Sequence, residues 1–158
     1  MLNRLRGIRT LFGVVALLAV TGSVAAEKAQ FLNSPRALEL DRPFSEAVRA
    51  GDFLFLSGQI GDVPETGKLA PGGLEAEARQ TLTNVKRTLE ANGASMSDVV
   101  KCTVFLADIA EWPAFNTIYR QFFHKPFPAR SALAASGLAM NARVELECIA
   151  YLPARSSR

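Results

Sequence analysis

Arg130 is the residue of this chain whose setting most invites chemistry. It stands in Phe127-Pro128-Ala129-Arg130-Ser131, at the head of a short run of small apolar residues, and Pro126 and Pro128 stiffen the approach to it. An arginine held by so rigid an entry presents a planar fork of donors that matches a carboxylate. The same local sequence also suits an ordinary loop arginine in a surface ion pair. Glu145, in Val144-Glu145-Leu146-Glu147, is a second candidate, and in isolation a weak one, because strand carboxylates are common. His124 is the single histidine. It falls in a proline-broken loop with no partner at a telling spacing, so it reads as a surface side chain and not as the base of a Ser-His-Asp triad. Two distant cysteines, Cys102 and Cys148, with one histidine do not make a zinc site. No phosphate-binding loop, dinucleotide fingerprint, HExxH or GxSxG motif occurs.

The elements that must position these residues follow from periodicity. Residues 44–49 are a candidate first strand, and Ala50-Gly51-Asp52 supplies turn chemistry leading into the apolar run Phe53-Leu54-Phe55-Leu56. Ser57-Gly58-Gln59-Ile60-Gly61 comes next, its glycines permitting close backbone approach. A loop rich in proline and glycine over 62–73 leads to a helix carrying the stripe Leu74, Ala78, Leu82, Val85, Leu89 and closing at Asn92-Gly93. Residues 98–108 alternate as a strand, with Val100, Cys102, Val104 and Leu106 on one face. Asp108 can cap a second helix whose apolar face is Trp112, Phe115, Ile118, Tyr119 and Phe122. Strands over 129–136 and 143–153, separated by a turn over 137–142, complete a β-β-α-β-α-β-β order, an α+β domain with both helices on one face of a mixed sheet. Along the last strand, Val144, Leu146, Cys148 and Ala150 face the helices. Glu145, Glu147, Ile149 and Tyr151 form a half-polar, half-apolar outer face that predicts a subunit interface.

The domain so defined covers residues 35–153, after a flexible lead-in over 27–34 and before a tail over 154–158. Residues 1–26 read as a secretory signal: Arg4, Arg6 and Arg9, an apolar stretch over 11–20, then Val24-Ala25-Ala26. A ten-residue stretch rises about 15 Å as a helix, half the ~30 Å that a bilayer span needs, which favours cleavage over anchoring. The mature chain is therefore expected outside the cytoplasm, in the periplasm or secreted, with no stable membrane association. The 18 basic and 15 acidic residues become equal once the three arginines of the signal are removed. Nucleic-acid binding loses its electrostatic support with them.

Four stretches in order give a more specific reading. Ser57-Gly58-Gln59-Ile60, the pattern Asn116-x-x-Tyr119-x-x-Phe122-Phe123, Phe127-Pro128-Ala129-Arg130-Ser131 and residues 144–150 resemble the successive signatures of the RidA/YjgF family over Pro35 to Leu152. The resemblance implies a chorismate-mutase-like fold, a homotrimer with clefts between subunits, and hydrolysis of reactive enamines and imines such as 2-aminoacrylate to a keto acid and ammonia, without cofactor or metal. It implies that Arg130 binds the substrate carboxylate and Glu145 orients the attacking water. Ser57, Gly58 and Asn116 would line the cleft, with Phe44 and Ala132 at positions where the family usually has a tyrosine and a cysteine. Its fold sets Cys102 and Cys148 on adjacent antiparallel strands, where contact is open to them. Directly opposed cysteines need particular geometry, so reduced, buried thiols are expected. The competing readings are a non-catalytic or chaperone-like binder of small carboxylates and, behind it, a ribonuclease.

Overall fold

The structure is a computed structural model that describes residues 28–153, so the signal sequence expected over 1–26 and the tail expected over 154–158 lie outside the described residues. The order is β1 (Gln30–Leu32), α1 (Pro35–Glu39), β2 (Ala47–Ala50), β3 (Phe53–Leu56) and β4 (Gln59–Ile60), then β5 (Asp62–Val63) and β6 (Lys68–Leu69). It continues with α2 (Gly73–Ala91), β7 (Val99–Leu106), α3 (Trp112–Phe122), β8 (Ala129–Ala134) and β9 (Val144–Tyr151). The main sheet is seven-stranded and runs β1-β2-β3-β9-β7-β8, with β4 also paired to β9. β8 is parallel to β7, and the other pairings are antiparallel. β5 and β6 form a separate hairpin.

The periodicities translate into packing as expected along α2 and β9. Ala78, Leu82, Val85 and Leu89 of α2 are fully buried against Val144, Leu146, Cys148 and Ala150 of β9 in one core. Gly51, at φ +56°, turns the β2–β3 hairpin in a conformation open to glycine. Gly93, at φ +76°, follows the α2 cap residue Asn92, whose side-chain amide donates to the Thr88 carbonyl at 2.8 Å.

Several expectations are corrected. The lead-in is structured in part: Gln30–Leu32 adds an edge strand to β2 in the register Gln30↔Arg49, and α1 follows with Ser34 accepting from the Ala37 N–H at 3.2 Å. The strand expected over 44–49 begins at Ala47. The carbonyls of Ser45 and Glu46 instead accept from the Ser57 hydroxyl and N–H, at 2.6 and 3.1 Å. Val100 points outward and Val99 inward, because a bulge between Val99 and Lys101 shifts the alternation by one residue. Cys102 and Cys148 are not reduced. They face each other across β7 and β9 with Cα atoms 4.1 Å apart and form a disulfide. Both strands aim these side chains into the core at the same register position, so the opposed geometry that was expected to disfavour a bridge supplies it.

Candidate active site

Arg130 lies on the edge strand β8, in parallel register with Cys102, and Ala132 with Val104. Residues side by side in a parallel pair point the same way, and Cys102 and Val104 are buried on the helix side. The Arg130 side chain thus reaches under α3. Its Cζ lies 4.2 Å from the centroid of the Trp112 ring and 4.5 Å from that of Tyr119, over the face of each. Trp112, Asn116 and Tyr119 are spaced i, i+4, i+7 and so share one helical face, which brings Asn116 to the same end of β8. Among the described residues no carboxylate pairs with the Arg130 guanidinium and no acceptor takes its N–H groups. Burial lowers its pKa; Tyr119 acts in the opposite sense, and Arg120 adds a smaller downward push. The Tyr119 phenol is pushed up to about 12 by burial, against the pull of Arg130, and stays neutral. An unpaired, half-buried guanidinium with free donors has the chemistry to take up an anion.

Glu145 is held on the other side of the sheet. It sits on β9 between Ile60 of β4 and Phe105 of β7, and alternation turns it away from its buried neighbours Val144 and Leu146. Gly58 backs its carboxylate: a Cβ at position 58 would fall on Glu145 Oε1. The glycine gives the carboxylate room rather than a left-handed turn, since its φ is not positive, and a larger side chain there would push Glu145 aside. Ser57 is tied to Ser45 and Glu46 by the two hydrogen bonds described above, which seats Phe44, about half exposed, beside this segment. Burial raises the Glu145 pKa, and Glu147 raises it further.

The expected site residues therefore fall into two groups. Asn116, Arg130 and Ala132 stand at the helix side of edge strand β8, whereas Phe44, Ser57, Gly58 and Glu145 stand on or beside the outer face. Arg130 is level with Cys102 and Glu145 with Phe105, three residues further along β7 and one strand beyond it. At ~3.3 Å per residue and ~4.8 Å per strand their Cα atoms are about 14 Å apart, on opposite faces. Within one chain they do not meet. Trp112 entered the sequence reading only as part of an apolar helix face, and Tyr119 as part of that face and of a family motif, neither with a role against Arg130. Their role against Arg130 was carried by the i, i+7 spacing on the helix that immediately precedes the arginine strand.

Comparison with known proteins gives this arrangement a family. Residues 34–152 match the family described as Endoribonuclease L-PSP. A 2-iminobutanoate/2-iminopropanoate deaminase of Dermatophagoides farinae is 42% identical over 123 residues, covering 78% of this chain and 96% of its own. Among solved structures, a putative endoribonuclease L-PSP from Entamoeba histolytica has a TM-score of 0.73 at 42% identity, over 79% of this chain and all of its own. TdcF of E. coli with bound serine has a TM-score of 0.66 at 35% identity, over 70% and 88% of the two chains. With the four ordered motifs, the mixed sheet and these matches, the chain belongs to the Endoribonuclease L-PSP family, that of the RidA/YjgF proteins.

Proposed function

We propose that this chain is a hydrolytic deaminase of small enamine and imine acids, working as a homotrimer whose clefts join the Arg130 group of one subunit to the Glu145 group of the next. The observation that carries the reading is the Arg130 guanidinium, half-buried over two rings with its N–H donors unclaimed. The name of the D. farinae relative supplies the substrate class, 2-imino acids. The substrate carboxylate accepts from the fork of Arg130, which fixes the imine carbon in the cleft. The enamine form reaches the imine by protonation at carbon. Glu145 takes a proton from water as its oxygen bonds to that carbon, giving a tetrahedral aminoalcohol. Glu145 returns this proton to the amine, the C–N bond breaks, and ammonia leaves as the carbonyl forms and the hydroxyl proton passes back to Glu145. A carboxyl with a raised pKa suits this exchange, because it gives the proton back readily.

Export is part of the proposal. The disulfide between Cys102 and Cys148 supports it, since such bridges persist in oxidising compartments. A binder of small carboxylates without turnover is the second reading. It is favoured by Phe44 and Ala132, which bring neither a hydroxyl nor a thiol to the two groups. A ribonuclease has less support, as the chain beyond residue 26 carries equal numbers of acids and bases. The test is ammonia release from freshly generated 2-iminobutanoate. Arg130→Ala is expected to lose about a hundredfold in kcat/KM, the scale of a charge-assisted bond in a buried site. Equal rates for both proteins would overturn the assignment, and tight 2-oxobutanoate binding with no turnover would establish the binder instead.

A further inference from the structure

We infer that Trp112 and Tyr119 are positioning residues for the carboxylate subsite, an aromatic shelf that fixes the plane of the Arg130 guanidinium and leaves its donor edge open to ligand. The inference rests on the reading of Arg130 as carboxylate anchor and assigns the residues that make it selective. Arg130 sits on an edge strand whose other side chains are exposed and, Leu133 apart, small, so β8 gives a long side chain little support. Its guanidinium lies over two ring faces, at 4.2 and 4.5 Å. Both rings come from α3, and α3 is itself fixed by Phe115, Ile118 and Tyr119 in the core. Tyr119 is almost fully buried, and among the described residues its hydroxyl has no hydrogen-bond partner. What it offers Arg130 is therefore the face of the ring. Trp112 is only half-buried, packed at 6.1 Å on Phe115, and so also walls the space in front of the guanidinium. A flat cation on two flat faces keeps its orientation without a carboxylate partner, and such a partner would compete with substrate.

Trp112 is the chain's single tryptophan, which makes the shelf observable. Titration of the full-length wild-type protein with 2-oxobutanoate should change the tryptophan emission saturably, and Arg130→Ala should abolish the change. Trp112→Leu should raise KM for 2-iminobutanoate about tenfold, equivalent to ~1.4 kcal/mol, with kcat altered by no more than about twofold. Trp112→Phe, which keeps a ring face, should recover most of that loss. A thermal melt of each variant separates this effect from unfolding, which lowers apparent kcat at unchanged KM. Wild-type KM in folded Trp112→Leu, or equal KM values in the Leu and Phe variants, would overturn the shelf. If Arg130→Ala itself keeps wild-type affinity for 2-oxobutanoate, the carboxylate anchor fails, and the shelf falls with it.

Discussion

Glu145 is placed where its protonation has opposite consequences for activity and for stability. Burial and the neighbouring Glu147 raise its pKa above the ordinary 4.5, so the folded protein holds this proton more tightly than the unfolded chain does. The stability gained from holding it is fully present below the ordinary value and is lost as pH rises through the raised one. At neutral pH the carboxylate is thus a small liability, which Glu145→Gln relieves. On the proposed role of Glu145 activity runs the other way, because a protonated carboxyl cannot accept a proton from water. The kcat/KM profile of the wild type, which reports the free protein, should therefore fall as acid is added, on a limb lying above the ordinary carboxylate value. Glu145→Gln should remove that limb, lower kcat about a hundredfold or more, and melt no lower than wild type at pH 7. An acid limb that survives in Glu145→Gln would assign it to another group.

Helix α2, the last strand and the turn at Asn92-Gly93 were legible because apolar spacing, alternation and cap chemistry act locally and agree with the tertiary environment. Three things were not legible from local pattern. β1 is three residues long and exists through its pairing with β2, so no periodicity announces it. The bulge after Val99 reverses one residue without any glycine to mark it. The disulfide depends on the register of β7 against β9, which pairs Cys102 with Cys148 across 46 residues of sequence. That bridge ties the central strand to the strand supporting Arg130. Closing a 46-residue loop is worth about 4 kcal/mol on chain-entropy grounds. Replacing both cysteines by alanine, or adding reductant, should lower Tm by on the order of 10–20 °C by calorimetry. An oxidised intact mass about two daltons below that of the reduced protein checks that the bridge is present before the comparison is made.

At the level of the whole molecule, one chain holds two separate groups of residues that the proposed function treats as half-sites, and an apolar outer face. Phe53 and Tyr151 are cross-strand partners with rings 5.2 Å apart, Phe55 lies 6.3 Å from Phe53, and all three stay substantially exposed. Such a face is costly to leave in water and reasonable to cover with another copy. The same cyclic assembly would bring the β8 edge of one subunit to the outer face of the next, setting its Arg130 against a neighbour's Glu145. This geometry separates shared sites from self-contained ones. Arg130→Ala and Glu145→Gln are each expected to be nearly inactive alone. When they are unfolded together in equal amounts and refolded as mixed rings, a shared site is intact wherever a Glu145→Gln subunit offers its arginine to an Arg130→Ala subunit. That happens at about one site in four for random closed rings. The mixture should recover about a quarter of the wild-type rate per site, while self-contained sites would recover none. Recovery should also vanish with Phe55→Glu in both chains, if the outer face is what holds the ring together.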